Sequence, residues 1–208
     1  MPVMYDEILY EVDDPVATIV LNRPAALNAW TNTMDDEIRD AMTRAAADPS
    51  VVGIVVTGAG RAFCAGADMG GLQAIGSGAS ADRSTKAQEG LPGGSTLPEF
   101  RMNYSYFPAI PKFIIAAING PAAGLGMVIA LYCDVRIAAD DVVFTTSFSR
   151  RGLIAEYGIA WTLPRVVGPS IAADLLLSAR RVNAEEALRI GLVSQVVPAA
   201  DLQGAAQA

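Results

Sequence analysis

The chain contains no histidine in its 208 residues. That single absence removes Ser-His-Asp and Cys-His catalysis, histidine-ligated zinc and imidazole acid-base work together. Any general base must then be a carboxylate, with lysine, tyrosine and cysteine as weaker candidates. Cysteine is nearly as scarce. Cys64 and Cys133 are too few for a disulfide scaffold and lack metal-ligand spacing, so both read as buried thiols and no metal site is expected. Positive charge is also in short supply, 15 Lys and Arg against 22 Asp and Glu, for a net charge of -7. That balance argues against nucleic acid as a partner, because phosphate backbones need a basic surface. A small anionic ligand held by a local arginine stays open. Although 52% of the residues are hydrophobic, no apolar run approaches the ~18 to 20 residues that cross a bilayer, so no membrane partner is expected. Met1 to Glu7 lacks a basic head followed by an apolar stretch, so no secretory or mitochondrial leader is expected and the cytoplasm is the default compartment.

What is present alternates between two periodicities. Ile8 to Val12 and Val16 to Leu21, rich in β-branched residues and joined at Asp13-Asp14-Pro15, predict a hairpin. From Thr33 onward Met34, Ile38, Met42 and Ala45 recur at helical spacing, with Asp35, Asp36 and Glu37 in the first turn and Asp48-Pro49 as a stop. Val51 to Thr57 is a short apolar run of the kind found in buried parallel strands, ending in Gly58-Ala59-Gly60. Phe113 to Ile118 repeats the plan: a strand, a turn at Asn119-Gly120-Pro121, and a helix from Gly124 to Tyr132. Val135 to Ala138 and Val142 to Phe144 read as strands, and Ser170 to Ser178 and Ala184 to Ile190 as helices, the last capped by Asn183 and ended by Gly191. Strands alternating with helices predict an α/β fold with parallel sheet. Gly70 to Pro98, dense in Gly, Ser and Ala, predicts a mobile loop, and Asp201 to Ala208 the start of a helix.

Three stretches carry a resemblance. Leu21-Asn22-Arg23-Pro24 is followed by Leu27-Asn28-Ala29; Ala62-Phe63-Cys64-Ala65-Gly66-Ala67-Asp68-Met69 comes next; Pro111 through Ala116-Ala117-Ile118-Asn119-Gly120-Pro121-Ala122-Ala123-Gly124 to Cys133-Asp134-Val135-Arg136 is the most specific. In this order and spacing they resemble the enoyl-CoA hydratase/isomerase (crotonase) family, from about Val16 to Val197. The resemblance implies a spiral of ββα units with C-terminal helices. It implies a catalytic domain over 1–197, with 198–208 opening a further helical segment, and assembly as a homotrimer or a dimer of trimers. Its substrate would be an acyl-CoA thioester, with no cofactor beyond that CoA.

The chemistry accounts for the glycines. Removing the α-proton of a thioester puts negative charge on its oxygen, and backbone N–H groups at a helix N-terminus can hold that charge without a titratable side chain. By resemblance the two donors are the N–H groups of Ala67 and Leu125. Arg23, Ala25, Leu27, Ala65, Gly66, Asp68, Met69, Gly124, Val128 and Phe148 are the expected substrate-binding positions. Asp68 also reads as a cap on the loop that holds Ala67. Hydratases of the family use two glutamates, whose positions here are Val128 and Phe148, so hydration is not expected. The stretch Phe144, Phe148, Ser149, Gly152, Glu156 and Gly158 is instead similar to the peroxisomal type of Δ3,Δ2-enoyl-CoA isomerase, whose single catalytic glutamate corresponds to Glu156. The 4-chlorobenzoyl-CoA dehalogenase branch has an aspartate at that place but also relies on a histidine, which this chain lacks. A double-bond isomerase is therefore the leading expectation. A hydratase in family name only, a silent acyl-CoA-binding protein and a thioester hydrolase are the alternatives.

Overall fold

A computed structural model describes residues 4–68 and 104–208. Met69 and the segment 70–98, the expected mobile loop, lie outside the described residues. The hairpin forms as β1 (Ile8–Asp13) and β2 (Val16–Leu21), paired antiparallel, and β2 buries every second residue, Ala17, Ile19 and Leu21. That alternation is what a strand with one covered face requires. α1 (Asn32–Ala47) starts where the Thr31 hydroxyl accepts the Met34 N–H, and its buried stripe is Met34, Ile38, Ala41, Met42 and Ala45. β3 (Gly53–Gly58) buries both faces along Ile54 to Thr57, and β4 (Phe113–Ile118) does so at its C-terminal end. Near-continuous apolar runs are the signature of parallel strands covered on both sides.

The rest of the chain adds β5 (Ala122–Ala123), α2 (Leu125–Tyr132), β6 (Val135–Ala139) and β7 (Val143–Thr145). It continues through α3 (Ile159–Val167), α4 (Pro169–Ser178), β8 (Val182–Asn183), α5 (Ala184–Arg189), β9 (Gln195–Val197) and α6 (Leu202–Gln207). One sheet has the order β1-β2-β3-β4-β6-β9, parallel except for the hairpin, and a smaller one the order β5-β7-β8. Leu202 and Ala206 of α6 are buried, with the helix against β4 and β6. Cys64 and Cys133 are both buried free thiols, and burial pushes each up to about 12.

α3 is the element the sequence pattern does not announce. Ile159, Thr162, Leu163 and Val167 form its buried stripe, but Gly158 opens it at φ 79° and Pro164 sits inside it. Two breaker residues hide a helix whose tertiary contacts outweigh propensity.

The parallel strands put their C-terminal ends on one side, and the connections leaving β2, β3 and β4 gather there. Two asparagines fix those connections. Asn28 is fully buried at φ 55°, accepts the Arg23 N–H at 2.9 Å and donates to the carbonyls of Ala59 and Ala62 at 2.9 and 2.8 Å. Asn119 accepts the Gly58 N–H at 3.1 Å and donates to the Gly60 carbonyl at 3.0 Å. Replacing Asn28 with alanine takes a hydrogen bond from three backbone groups, of which the Ala62 carbonyl keeps a longer one from Asn119 at 3.4 Å, and places alanine in a region asparagine tolerates better. Asn28→Ala is expected to lose roughly 3 kcal/mol in a urea titration.

Candidate active site

The 64–68 segment is held on both edges by backbone hydrogen bonds. Cys64 donates to the Pro121 carbonyl at 3.2 Å and accepts the Ala123 N–H at 3.0 Å, while Ala65 donates to the Leu27 carbonyl at 3.0 Å. Trp30 donates to the Gly66 carbonyl at 2.8 Å and accepts the Asp68 N–H at 2.9 Å. In this parallel bridge Trp30 pairs with the residues flanking Ala67, so the Ala67 N–H is directed away from Trp30. It finds no acceptor among the described residues. Gly66, at φ 109°, permits the turn, and a Cβ there would lie 3.1 Å from the Ala123 carbonyl oxygen and 3.8 Å from the Leu125 nitrogen. Glycine therefore lets the segment run against the start of α2.

Gly124, at φ 51° and ψ -118°, turns the chain from β5 into α2, its N–H donating to the Thr145 carbonyl at 3.0 Å. The next N–H, that of Leu125, belongs to the first helical turn, which has no intrahelical acceptor, and none of the described residues supplies one. The positive end of the helix dipole adds to its pull on an anion. Gly126 is packed so closely on the Cys64 carbonyl that a Cβ would overlap it. The two unpaired N–H groups are thus carried by segments in direct backbone contact.

Opposite them lies the segment after β7. Phe148 is 6% exposed, and its carbonyl accepts the N–H groups of Arg151 and Leu153 around a short 3-10 turn, Ser149–Arg151. Thr146 is anchored to the Leu175 carbonyl of α4 at 2.8 Å. Glu156 is partly buried in the turn before α3 and forms no salt bridge among the described residues. Arg165, a conceivable partner, instead lies 3.8 Å from the centroid of the Trp161 ring and donates to the Trp161 carbonyl.

These walls enclose a cavity of about 250 Å³. Of the positions expected from sequence, Ala65, Gly66, Ala67, Gly124, Leu125, Phe148 and Glu156 line it. Arg23, Ala25, Leu27, Asp68 and Val128 do not. Arg23 turns inward to pair with Asp68 at 3.0 Å and Glu7 at 3.2 Å, and donates to the Ala29 carbonyl, so both charges brace the loops behind the cavity. Ala25 is exposed on the 3-10 turn, and the Leu27 carbonyl serves Ala65. Val128 is a correction: it lies one turn into α2 with no exposure, a core residue and no part of the cavity wall. Met69 lies outside the described residues. The sequence reading missed Ala26, Ala29, Thr146, Ser147, Arg151, Leu153 and Tyr157, which also line the cavity. Tyr157 and Ser147 adopt φ 55° and 60°, turns that carry no sequence mark comparable to glycine.

Among the described lining residues Glu156 is the sole carboxylate, and Ala67 and Leu125 line the same cavity. The class this defines is an α/β protein with a cavity lined by small residues, a helix N-terminus and a candidate base. The chain matches the enoyl-CoA hydratase/isomerase family over residues 11–208 and belongs to that family. It is 40% identical over 195 residues to a Mycobacterium tuberculosis protein named "Probable enoyl-CoA hydratase EchA14", covering 92% of this chain and 70% of that one. It is 34% identical over 206 residues to the 1,2-epoxyphenylacetyl-CoA isomerase of Escherichia coli, covering 98% of this chain and 74% of that protein. The crystal structure of an enoyl-CoA hydratase from Mycobacterium tuberculosis superposes with a TM-score of 0.79 at 33% identity, covering 97% of this chain and 79% of that one. The fold is accordingly the crotonase fold, as the motifs imply.

The contact between Gly126 and Cys64 gives a direct test of this packing. Gly126→Ala is expected to cost ~1 to 3 kcal/mol in urea, because a carbonyl must move to admit the methyl. Gly204→Ala, in α6 where a Cβ meets nothing within 4 Å, is expected to leave stability unchanged or raise it by up to about 1 kcal/mol.

Proposed function

We propose that this member of the family shifts a double bond in a 3-enoyl-CoA, with Glu156 as its base. In this reading the thioester oxygen accepts hydrogen bonds from the N–H groups of Ala67 and Leu125. The Glu156 carboxylate takes the proton from C2, and the electron pair left behind spreads through C1 onto the thioester oxygen, in conjugation with the C3–C4 double bond, as a dienolate. The neutral carboxylic acid then returns the proton to C4, leaving a 2-enoyl thioester and the starting carboxylate. No water, metal or electron carrier enters the balance. Each preorganised donor contributes about 3 to 4 kcal/mol to holding the developing charge.

The observation that carries the reading is that Glu156, the one carboxylate among the described lining residues, shares a cavity with Ala67 and Leu125, whose N–H groups have no acceptor among the described residues. Hydration needs two groups to position and activate water, and the other described lining side chains with polar atoms are Thr146, Ser147, Arg151 and Tyr157. Neutral hydroxyls and a guanidinium are poor substitutes for a second carboxylate. The names of the relatives include both a hydratase and an isomerase, so they support acyl-CoA chemistry without choosing between its outcomes.

The test follows absorbance of the conjugated 2-enoyl thioester formed from a 3-enoyl-CoA. Glu156→Gln keeps the shape of the side chain but cannot accept a proton. It is expected to lower kcat by about 10²- to 10⁴-fold while the variant still folds and binds acyl-CoA. Equal turnover by both proteins would remove Glu156 from the mechanism. Binding without turnover by either would make this an acyl-CoA-binding protein.

A further inference from the structure

α2 is eight residues long, and its two ends serve different walls of the cavity. Its N-terminus offers the Leu125 N–H. At its last residue the Tyr132 hydroxyl donates to the Tyr157 carbonyl at 2.9 Å, across 25 positions of sequence. Tyr157 follows Glu156 directly and stands at φ 55°, in the left-handed region that a residue with a Cβ enters only under constraint. Gly158 comes next at φ 79°, packed against the Tyr132 hydroxyl so tightly that a Cβ would collide with it. The turn that presents Glu156 therefore folds around one phenolic oxygen. On its other side the Tyr157 ring meets Tyr104 edge-on, with centroids 5.2 Å apart.

We infer that Tyr132 is a positioning residue for the base: its hydroxyl fixes the Glu156–Gly158 turn, so that one helix sets both the oxyanion donor and the carboxylate. The rise of a helix puts Leu125 and Tyr132 about 10 Å apart along its axis, a rigid spacing that no loop could hold as well. A tyrosine is protonated at neutral pH in any case, and burial raises the Tyr132 hydroxyl further. A tyrosine at this place looks from sequence like the last apolar residue of a helix. Its role appears only when the turn that follows Ala155 is seen folded back upon it.

The inference rests on Glu156 being the base, so the experiment runs Tyr132→Phe, Gly158→Ala and Glu156→Gln beside the wild type. Each is assayed for kcat and KM on a 3-enoyl-CoA and for the Kd of a saturated acyl-CoA. Tyr132→Phe removes the hydrogen bond, and Gly158→Ala pushes the same turn off the Tyr132 hydroxyl. If either fails to fold, the other still reports. Both are expected to lower kcat about 10- to 100-fold, as misplacement of a reacting group by an ångström does, with KM and Kd within about twofold of wild type. Wild-type kcat in Tyr132→Phe, with Glu156→Gln inactive, overturns this inference and leaves the base reading standing. Weakened acyl-CoA binding in step with lost turnover also overturns it, since the defect would then be general. Full activity in Glu156→Gln, or none in the wild type, overturns the base reading itself.

Discussion

The close approach of residues 64–67 to the first turn of α2 is the constraint on which the rest of the site depends. Nearly every buried backbone N–H in a folded protein finds an acceptor. Among the described residues the Ala67 and Leu125 N–H groups stay unpaired because their neighbours are already committed: Trp30 takes up both sides of the bridge to Ala67, and helix geometry denies Leu125 a partner. Such groups stay aimed at empty space only if the segments carrying them cannot relax. Gly66 and Gly126 provide that stiffness by allowing backbone to lie on backbone, and the Arg23 contacts with Asp68, Glu7 and the Ala29 carbonyl brace the next layer outward.

In the proposed reaction a chain without histidine divides the work between fixed dipoles and a carboxylate. The dipoles need no titration and hold their charge at every pH the fold survives. The carboxylate must be reachable and free of competing cations. Glu156 forms no salt bridge among the described residues, while Arg165 is occupied by Trp161 and Arg23 by Asp68 and Glu7. Arg180 is engaged by Asp174 and Glu186, at 2.7 and 2.9 Å.

Much of this is legible in the sequence where one rule dominates. The β1-β2 hairpin, α1 and the apolar strands β3 and β4 follow from periodicity, since each buries a face or a core segment with little interference from special turns. The donor segments are legible through their glycines, whose positive φ and close contacts admit few other residues. The wall after β7 is not. Its turns place Ser147 and Tyr157 at positive φ without glycine, and α3 hides behind Gly158 and Pro164. Val128 shows the limit of reading a site by spacing from a motif. A position two residues past Gly126 falls within the part of α2 that is buried all round, from Leu125 to Leu131, where a valine serves the core. Asn28 illustrates the reverse, a residue inside a recognised motif whose task is to satisfy three backbone groups.

The central claim is that two backbone donors converge on one thioester oxygen, and the carbonyl itself reports it. A carbonyl stretch falls in frequency as hydrogen bonds draw charge onto its oxygen, and preorganised donors in a cavity with little water do this more strongly than water. The decisive measurement is isotope-edited infrared difference spectroscopy of an acyl-CoA carrying ¹³C at the thioester carbonyl, bound to the protein and free in buffer. The account predicts a lower frequency and a narrower band in the complex than in buffer. A bound carbonyl at the frequency it has in water would contradict it.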